Sequence, residues 1–166
     1  YKVLITDTPK VPQKDLAAAV RWQAKDLIDQ PVDDTTFEVF PAPAVADATA
    51  PKSSYVVAAI NTAIQQRVDQ LTNADINLHS IDIQEMALRN LLMLLPEDDQ
   101  STALLSLNET SGTVIITQHG EIYVSRSFDI GLRDIRQQSS QNLSINDNDG
   151  LILEIQRSMD YYETRY

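Results

Sequence analysis

Few side chains in this sequence have both the chemistry and the spacing of a catalytic site. The chain has two histidines, His79 and His119, and no cysteine. His79 lies in a predicted strand and His119 in a predicted hairpin turn, and neither has a serine or an acidic residue at a spacing typical of hydrolases. A G-x-S-x-G nucleophile elbow is also missing. We therefore expect no catalytic residue in this chain and do not expect it to be an enzyme.

Clusters of aspartate occur at three places, and none has the pattern of a metal site. Asp33–Asp34 and Asp98–Asp99 lie at predicted helix ends or turns, where the aspartate side chain hydrogen-bonds the local backbone. The segment Asp147–Gly150 is similar to the start of a calcium-binding loop. Such a loop needs glutamate at its twelfth position, which here is Ser158. Asp147 is better explained as a helix cap, and we expect no metal.

One short turn has the residue types that can hold a phosphate group. The chain has only four glycines and neither a P-loop nor a G-x-G-x-x-G sequence. Between two predicted strands, however, Asn108, Thr110, Ser111 and Gly112 form a small polar turn whose backbone N–H groups could bind phosphate. The same residue types are typical of an ordinary hairpin turn. Residue chemistry favours the hairpin turn, and a degenerate phosphate turn stays the alternative.

The first predicted helix carries a candidate surface for a protein partner. Trp22 lies beside the main apolar stripe of this helix, and tryptophan is enriched at interface hot spots. The alternative is that Trp22 covers a neighbouring strand. With Lys25 and Asp26, it forms the predicted partner-binding site, in a groove between the N-terminal subdomain and the main body of the protein.

The charge and the hydropathy pattern argue against two other classes of partner. The chain has 13 basic and 24 acidic residues and a formal net charge of −11 at pH 7. Nucleic acids and anionic membrane surfaces bind clusters of Lys and Arg, so this charge disfavours both. No apolar run approaches the ~20 residues that span a bilayer, and no leader pattern is present. Because the sequence begins at Tyr1 rather than at methionine, we expect it to be part of a longer protein.

Hydrophobic periodicity predicts a β-α-β-β-α-β unit over residues 1–82. Alternating or continuous apolar runs indicate strands, and apolar residues three and four positions apart indicate helices. The predicted strands are 1–6, 35–40, 55–60 and 76–81, and the predicted helices are 12–29 and a second that begins near residue 61. Such a unit forms one sheet with helices packed on it.

A different pattern begins after residue 82. Residues 83–100 are predicted to include a connecting helix, ended by Pro96, that is apolar on most of its circumference and therefore buried in a larger body. Three strands and two helices are predicted to follow, at 103–107, 112–117, 121–128, 131–141 and 147–166. Gly120 is placed in the last hairpin turn because glycine accepts a positive φ. The fold class is α/β.

Several of these segments resemble those of one protein family, in the same order along the chain. The segments that carry the resemblance are Arg21–Ile28, Pro31–Asp34, Ile81–Leu91, Ala103–Ile115, Ser125–Phe128 and Glu154–Tyr162. The family that they resemble is the MshI/PilM-type pilus biogenesis proteins. The first two segments resemble the first helix and turn of the inserted subdomain, and the third resembles the helix that returns to the main body. The fourth and fifth resemble the second-lobe hairpins, and the sixth resembles the next helix.

The resemblance implies a fragment of an actin-like, ribonuclease H-like ATPase fold. Residues 1–82 would be the inserted subdomain, 83–100 the connecting helix and 101–166 the start of the second lobe. It also implies a cytoplasmic scaffold of a type IV pilus platform, of the mannose-sensitive haemagglutinin (MSHA) kind. Such a scaffold binds the cytoplasmic tail of a PilN-like inner-membrane protein and helps to couple the assembly motor ATPase to the pilus base.

The phosphate signature departs from the family pattern. Where the family has Asp-x-Gly after the strand, this sequence has Ser106 and Asn108, without the aspartate that organises a metal-bound water. The other nucleotide-binding segments would precede Tyr1 and follow Tyr166. We therefore expect no cofactor on this chain, and binding of ATP stays an open question for the full-length protein alone. Two alternatives stay open: a nucleotide-dependent ATPase or kinase-like enzyme of this fold class, and the cytoplasmic domain of a type II secretion platform protein.

Overall fold

The chain divides into two units, which are described separately. The computed structural model describes residues 1–47, 49, 52–95, 100–140 and 149–166. The N-terminal unit comprises Tyr1–Ala44 and Ala48–Asp82, and the C-terminal unit comprises Val45–Asp47 and Ile83–Tyr166. The predicted turn at Asp98–Asp99 and the predicted helix cap at Asp147 lie outside the described residues.

The N-terminal unit is a three-stranded antiparallel sheet with a helix on one face. Its elements are β1 (Lys2–Asp7), α1 (Leu16–Ala24), β2 (Thr35–Pro41), β3 (Ser53–Ile60) and α2 (Asn61–Asn73), and short 3₁₀ turns occupy Gln13–Asp15, Lys25–Leu27 and Val32–Asp34. The strand order is β1-β3-β2. The alternation predicted for 35–40 and the apolar run at 55–60 therefore form neighbouring strands.

Register explains where the core of the N-terminal unit lies. Leu4 and Val39 both pair with Val56, so the three side chains point to the same face of the sheet. Val20 and Ala24, one turn apart on α1, are completely buried against this face. The four-residue spacing that predicted the helix thus also places its buried side on the sheet.

The predicted strand at 76–81 is wrong. These residues have no regular secondary structure, and Ile76 and Ile81 are 54% and 50% exposed. Ile76 and Leu78 are two positions apart, whereas Ile81 has the opposite parity, so the segment has no single apolar face to bury in a sheet. The N-terminal unit is therefore β-α-β-β-α.

The C-terminal unit begins with a helix that is shorter than predicted. α3 spans Gln84–Leu92, and Leu92 is 5% exposed. Leu91 and Leu94 are 59% and 79% exposed. The sequence predicts a helix that is buried on most of its circumference. Within the described part of the chain, only one of its sides is buried.

The rest of the C-terminal unit is an antiparallel meander followed by two helices. Its elements are β4 (Thr102–Leu107), β5 (Gly112–Gln118), β6 (Glu121–Phe128), α4 (Leu132–Ser140) and α5 (Asp149–Arg165). The strand order is β4-β5-β6, in agreement with the three predicted strands. His119 and Gly120 have φ values of 51° and 71°, so the predicted hairpin turn and its positive-φ glycine are confirmed.

The core of the C-terminal unit lies between the meander and α5. Val114, Ile116, Val124 and Phe128 are its buried residues. Partly buried residues packed against them include Leu151 and Ile155 of α5 and an aromatic group of Tyr123, Tyr161 and Tyr162. Glu154, 18% exposed, accepts hydrogen bonds from Arg126 at 3.0 Å and Arg157 at 2.7 Å, so ion pairs accompany the apolar contact.

Candidate functional site

A groove on the N-terminal unit contains two of the three residues predicted to bind a partner. It has a volume of about 730 Å³ and lies between α1, the turn before β2 and the start of β2. Its lining residues are Ala17, Ala18, Arg21, Trp22, Lys25, Val32, Asp33, Thr35, Thr36 and Phe37. Trp22 and Lys25 are thus brought together in one concave surface.

Trp22 stands on the side of α1 that faces away from the core. It is two residues from both Val20 and Ala24, which is about 200° around a helix. Its side chain is 76% exposed, whereas both of those residues are fully buried. The Nζ atom of Lys25 lies 6.0 Å from the centroid of the Trp22 ring, at the limit of a cation–π contact. Trp22 is therefore not a residue that is buried against a strand.

Small residues of α1 leave the groove open. Ala18, Trp22 and Lys25 have four- and three-residue spacing and share one helical face. Ala17 and Ala18 are exposed, and both line the groove together with Phe37 of β2. The two alanines could have been found from the sequence, because they lie one turn before the predicted Trp22 site.

An ion pair connects the two walls of the groove. The Arg21 guanidinium on α1 donates a hydrogen bond to the carboxylate of Asp33, in the turn before β2. The Asp33 side chain is 96% exposed and that of Arg21 is 42% exposed. The sequence predicts only a turn or helix end at Asp33, since nothing in the local sequence indicates that a residue twelve positions after Arg21 lies opposite it.

Asp26, the third predicted partner-binding residue, is not part of the groove lining. It lies in the 3₁₀ turn Lys25–Leu27 and is exposed. The groove itself is formed within the N-terminal unit, by α1 and β2. The site that the structure presents is therefore centred on Arg21, Trp22 and Lys25.

The predicted phosphate turn is a four-residue hairpin loop between β4 and β5. The N–H group of Asn108 donates to the carbonyl of Ser111 at 2.8 Å, and Leu107 pairs with Gly112. Asn108, Glu109 and Thr110 are exposed. This geometry closes the loop by a backbone hydrogen bond, as in an ordinary hairpin.

The same loop occupies the N-terminus of α4. The carbonyl oxygens of Asn108 and Glu109 accept hydrogen bonds from the N–H groups of Leu132 and Arg133, at 2.8 and 3.0 Å. A carboxylate oxygen of Asp134 accepts one from the N–H of Gly131 at 2.8 Å. Free N–H groups at a helix N-terminus are what binds phosphate in many proteins. Here these three donors are already engaged.

Two glycines allow this region to pack closely. A Cβ atom at Gly131 would lie 2.5 Å from the backbone carbon of Glu109 and from the nitrogen of Thr110. A Cβ atom at Gly112 would lie 2.2 Å from Cε2 of Phe128. Gly112, predicted as part of the phosphate turn, thus makes room for a core ring, and Gly131 lets the loop reach α4. No local sequence pattern predicts this role of Gly131.

The remaining candidate residues are two histidines and several acidic side chains. His79 is exposed in the irregular segment after α2, and His119 is exposed in the β5–β6 turn. No group of three or more His, Asp or Glu side chains among the described residues is arranged to hold a metal ion. Within the same residues, no helix is both long and apolar enough to cross a membrane.

Comparison with known proteins identifies the fold. No protein-family model matches the sequence, and no curated protein matches it. Among solved structures, the chain is similar to one described as "PilM-PilN type IV pilus biogenesis complex", with a TM-score of 0.66 and 18% sequence identity. The similarity covers 98% of this chain and 50% of that chain, so this chain spans about half of its structural neighbour. The fold, a piece of a PilM-like, actin-like α/β fold, agrees with the fold class predicted from the sequence.

Proposed function

We propose that this chain is part of a scaffold protein of a type IV pilus assembly machine. In this proposal the protein lies in the cytoplasm, beneath the inner membrane, and binds the cytoplasmic tail of a PilN-like membrane protein. The observation that carries the proposal is the fold similarity over 98% of the chain to a structure described as a PilM–PilN complex. We further propose an MSHA-type machine, because the order of sequence segments resembles that of MshI.

The groove supports a role in binding rather than in catalysis. Its side chains offer an exposed indole, two cations and apolar walls. Aromatic and arginine side chains in concave surfaces are the usual anchors of protein interfaces. We propose that Trp22 and Lys25 contact the partner tail, and that Asp26, exposed on the next turn, contacts it at the rim.

We also propose that this part of the protein does not bind or hydrolyse ATP. The N–H groups of Leu132 and Arg133 donate to the carbonyls of Asn108 and Glu109, and that of Gly131 donates to Asp134, so these three groups are not free to donate to a phosphate. A chain with a closed phosphate turn fits a scaffold better than a nucleotide-dependent enzyme. Fold similarity alone does not decide this point, because one fold serves many activities.

The experiment that tests the scaffold proposal is a calorimetric titration. The protein is titrated with a synthetic peptide of the cytoplasmic tail of the PilN-like protein encoded beside it. We expect saturable heat release. Trp22→Ala should weaken binding about tenfold or more, as expected for a hot spot. Leu94→Ala is a matched control, because Leu94 is equally exposed but lies on the other unit.

Two results would contradict the proposal. If the tail peptide releases no heat at high micromolar concentration, the pilus scaffold role loses its support. If the complete protein instead turns over Mg-ATP, the enzyme alternative is favoured. A Trp22→Ala variant that binds the tail normally would leave the scaffold proposal intact and place the tail elsewhere.

A further inference from the structure

The groove runs along one edge of the N-terminal sheet. Thr35, Thr36 and Phe37 are consecutive in β2 and all three line it. Successive side chains of a strand point to opposite faces, and we therefore place a groove that is lined by all three residues along the strand's edge. β2 pairs with β3 on one side, and among the described residues no strand pairs with its other side. The groove therefore includes an edge strand that can accept a further strand.

The charges in the groove differ in sign from those of the chain as a whole. Arg21, Lys25 and Asp33 give the lining a net charge of +1 (two cations and one carboxylate), whereas the chain carries −11. Arg21 contacts Asp33 through one terminal nitrogen, and a guanidinium has five donors. No carboxylate among the described residues pairs with Lys25. Both cations can thus donate hydrogen bonds to a carboxylate of a partner.

We propose that the groove binds an extended peptide that adds a strand to the free edge of β2. The peptide carries an acidic side chain, held by Arg21 and Lys25, next to a large aliphatic side chain, which packs on Trp22 in the space left by Ala17 and Ala18. Main-chain hydrogen bonds to β2 supply part of the affinity and the side chains supply specificity. This inference rests on the proposed function in one respect, since it assigns the same groove to the partner.

Trp22 provides a direct readout of binding in the groove. It is the only tryptophan of the chain and is 76% exposed. We suggest selecting tryptophan-free random peptides of about ten residues, the upper length of an ordinary strand, on the intact 166-residue chain. The selected sequences are then synthesised and titrated while the Trp22 emission is followed. Enriched peptides should contain Asp or Glu beside a large aliphatic residue, and saturation should shift the emission to shorter wavelength.

The sharpest test uses a variant in which a larger side chain fills the groove. Ala18→Leu places a larger side chain in the groove and removes no contact, so helicity and thermal stability should stay near those of the wild type. Binding of the selected peptide should fall about tenfold or more, because about one leucine side chain of space is lost. Ala63→Leu is the matched control: Ala63 is exposed on α2 and lies outside the groove.

Two further changes test the charge and the strand pairing separately. Lys25→Glu should weaken the acidic peptide about fivefold, more at low salt than at high salt. The same variant should bind a peptide in which Lys replaces the acidic residue better than the wild type does. In a series of peptides that each carry one N-methylated backbone nitrogen, methylation should abolish binding only at every second position, because alternate N–H groups of an added strand face β2.

Each outcome supports or overturns the inference. No enrichment, enriched peptides without an acidic residue, or peptides that bind Ala18→Leu normally would overturn it. If the selected peptides bind as described and the PilN-like tail does not, the groove assignment stands and the pilus function fails. If the tail binds both the wild type and Ala18→Leu equally, the pilus function stands and this inference fails.

Discussion

The two units are built from similar parts and use them differently. Each has a three-stranded antiparallel sheet with a helix on one face. In the N-terminal unit the core consists of Val20, Ala24 and Val56, and exposed alanines beside it leave a groove. In the C-terminal unit Phe128 fills the space that Gly112 leaves. Small residues thus open a surface in one unit and close the packing in the other.

The two units also differ in the order in which their strands are connected. The C-terminal strands follow one another in space as in sequence, β4-β5-β6, whereas the N-terminal order is β1-β3-β2. In the first case short turns join neighbours. In the second, α1 and its flanking turns connect two strands that are not neighbours, so β2 reaches the edge together with the turn that carries Asp33. The crossing segment supplies α1 and the turn with Asp33, and the start of β2 completes the groove.

The largest expected effect is on the filled core. Phe128→Ala should lower the unfolding free energy by about 3–5 kcal/mol, since it removes a buried aromatic ring. Hydrogen exchange should show a larger loss of protection in β5 than in β3. Phe37→Ala, at a half-buried ring in the groove, should cost less than half as much. Equal losses for the two phenylalanines would remove the distinction between a filled unit and an open one.

A second substitution sharpens the explanation. Gly112→Ala should be destabilising alone, because its Cβ would lie 2.2 Å from the Phe128 ring. In the Phe128→Ala background the same change should cost less, and a double-mutant cycle measures the difference. Additive effects would show that the glycine does not serve the ring.

A smaller loss is expected at the contact between the hairpin loop and α4. Gly131→Ala should cost about 1–3 kcal/mol, as overpacking does, because its Cβ would lie 2.5 Å from the backbone of the loop. Gly150→Ala is the matched control. Among the described residues its Cβ would meet the end of one side chain, Cδ1 of Ile130, at 3.1 Å, and alanine favours a helix by up to about 1 kcal/mol over glycine. Chemical denaturation compares the two, and a neutral Gly131→Ala would contradict close packing.

Trp22, the most exposed aromatic residue of the groove, should contribute little to the stability of the fold. Trp22→Ala should change the unfolding free energy by less than about 0.5 kcal/mol, the usual range for surface substitutions. Tyr162→Ala is the contrasting truncation, because Tyr162 packs edge-on against Tyr123 with ring centroids 5.7 Å apart, and it should cost about 1 kcal/mol or more. Loss of the fold on Trp22→Ala would instead make Trp22 a core residue.

The smallest expected effect appears only in alkaline solution. Burial, as the largest cause, raises the pKa of Tyr123 and that of Tyr166 above their usual value. Below about pH 10 both rings are neutral in the folded and the unfolded chain, so their full contribution to stability is present. As the pH rises above 10 the unfolded chain ionises first, and this contribution is lost as the pH passes through the raised pKa values. Tyrosinate absorbance measures the titration, and Tyr123→Phe should reduce the dependence of stability on pH above 10.

If every tyrosine of the folded chain titrated at the ordinary pKa, the raised pKa of Tyr123 and Tyr166 would be contradicted.

The sequence predicted local features well and non-local ones poorly. The three strands of the meander and the turn at Gly120 follow from alternation and from glycine, which act over a few residues. The strand predicted at 76–81 is wrong because local β propensity does not ensure that the apolar residues of a segment share one face, and here they do not. The groove was predicted only through Trp22 and Lys25, since Asp33 and the edge of β2 reach it through tertiary structure. Likewise, the role of Gly131 depends on a loop that lies more than twenty residues earlier.

The cap on α4 restricts how this chain could change in evolution. Two of the three groups that engage the start of α4 are the backbone carbonyls of Asn108 and Glu109, which every amino acid has; the third is the carboxylate of Asp134. Exchanging the Asn108 side chain for glycine or aspartate therefore does not free the helix donors. A change of loop length or of the Gly131 contact would be needed first, and that change disturbs packing before any anion is gained. Side-chain substitutions at Asn108 or Glu109 alone thus do not turn this loop into a phosphate site, because the carbonyls that engage Leu132 and Arg133 stay in place.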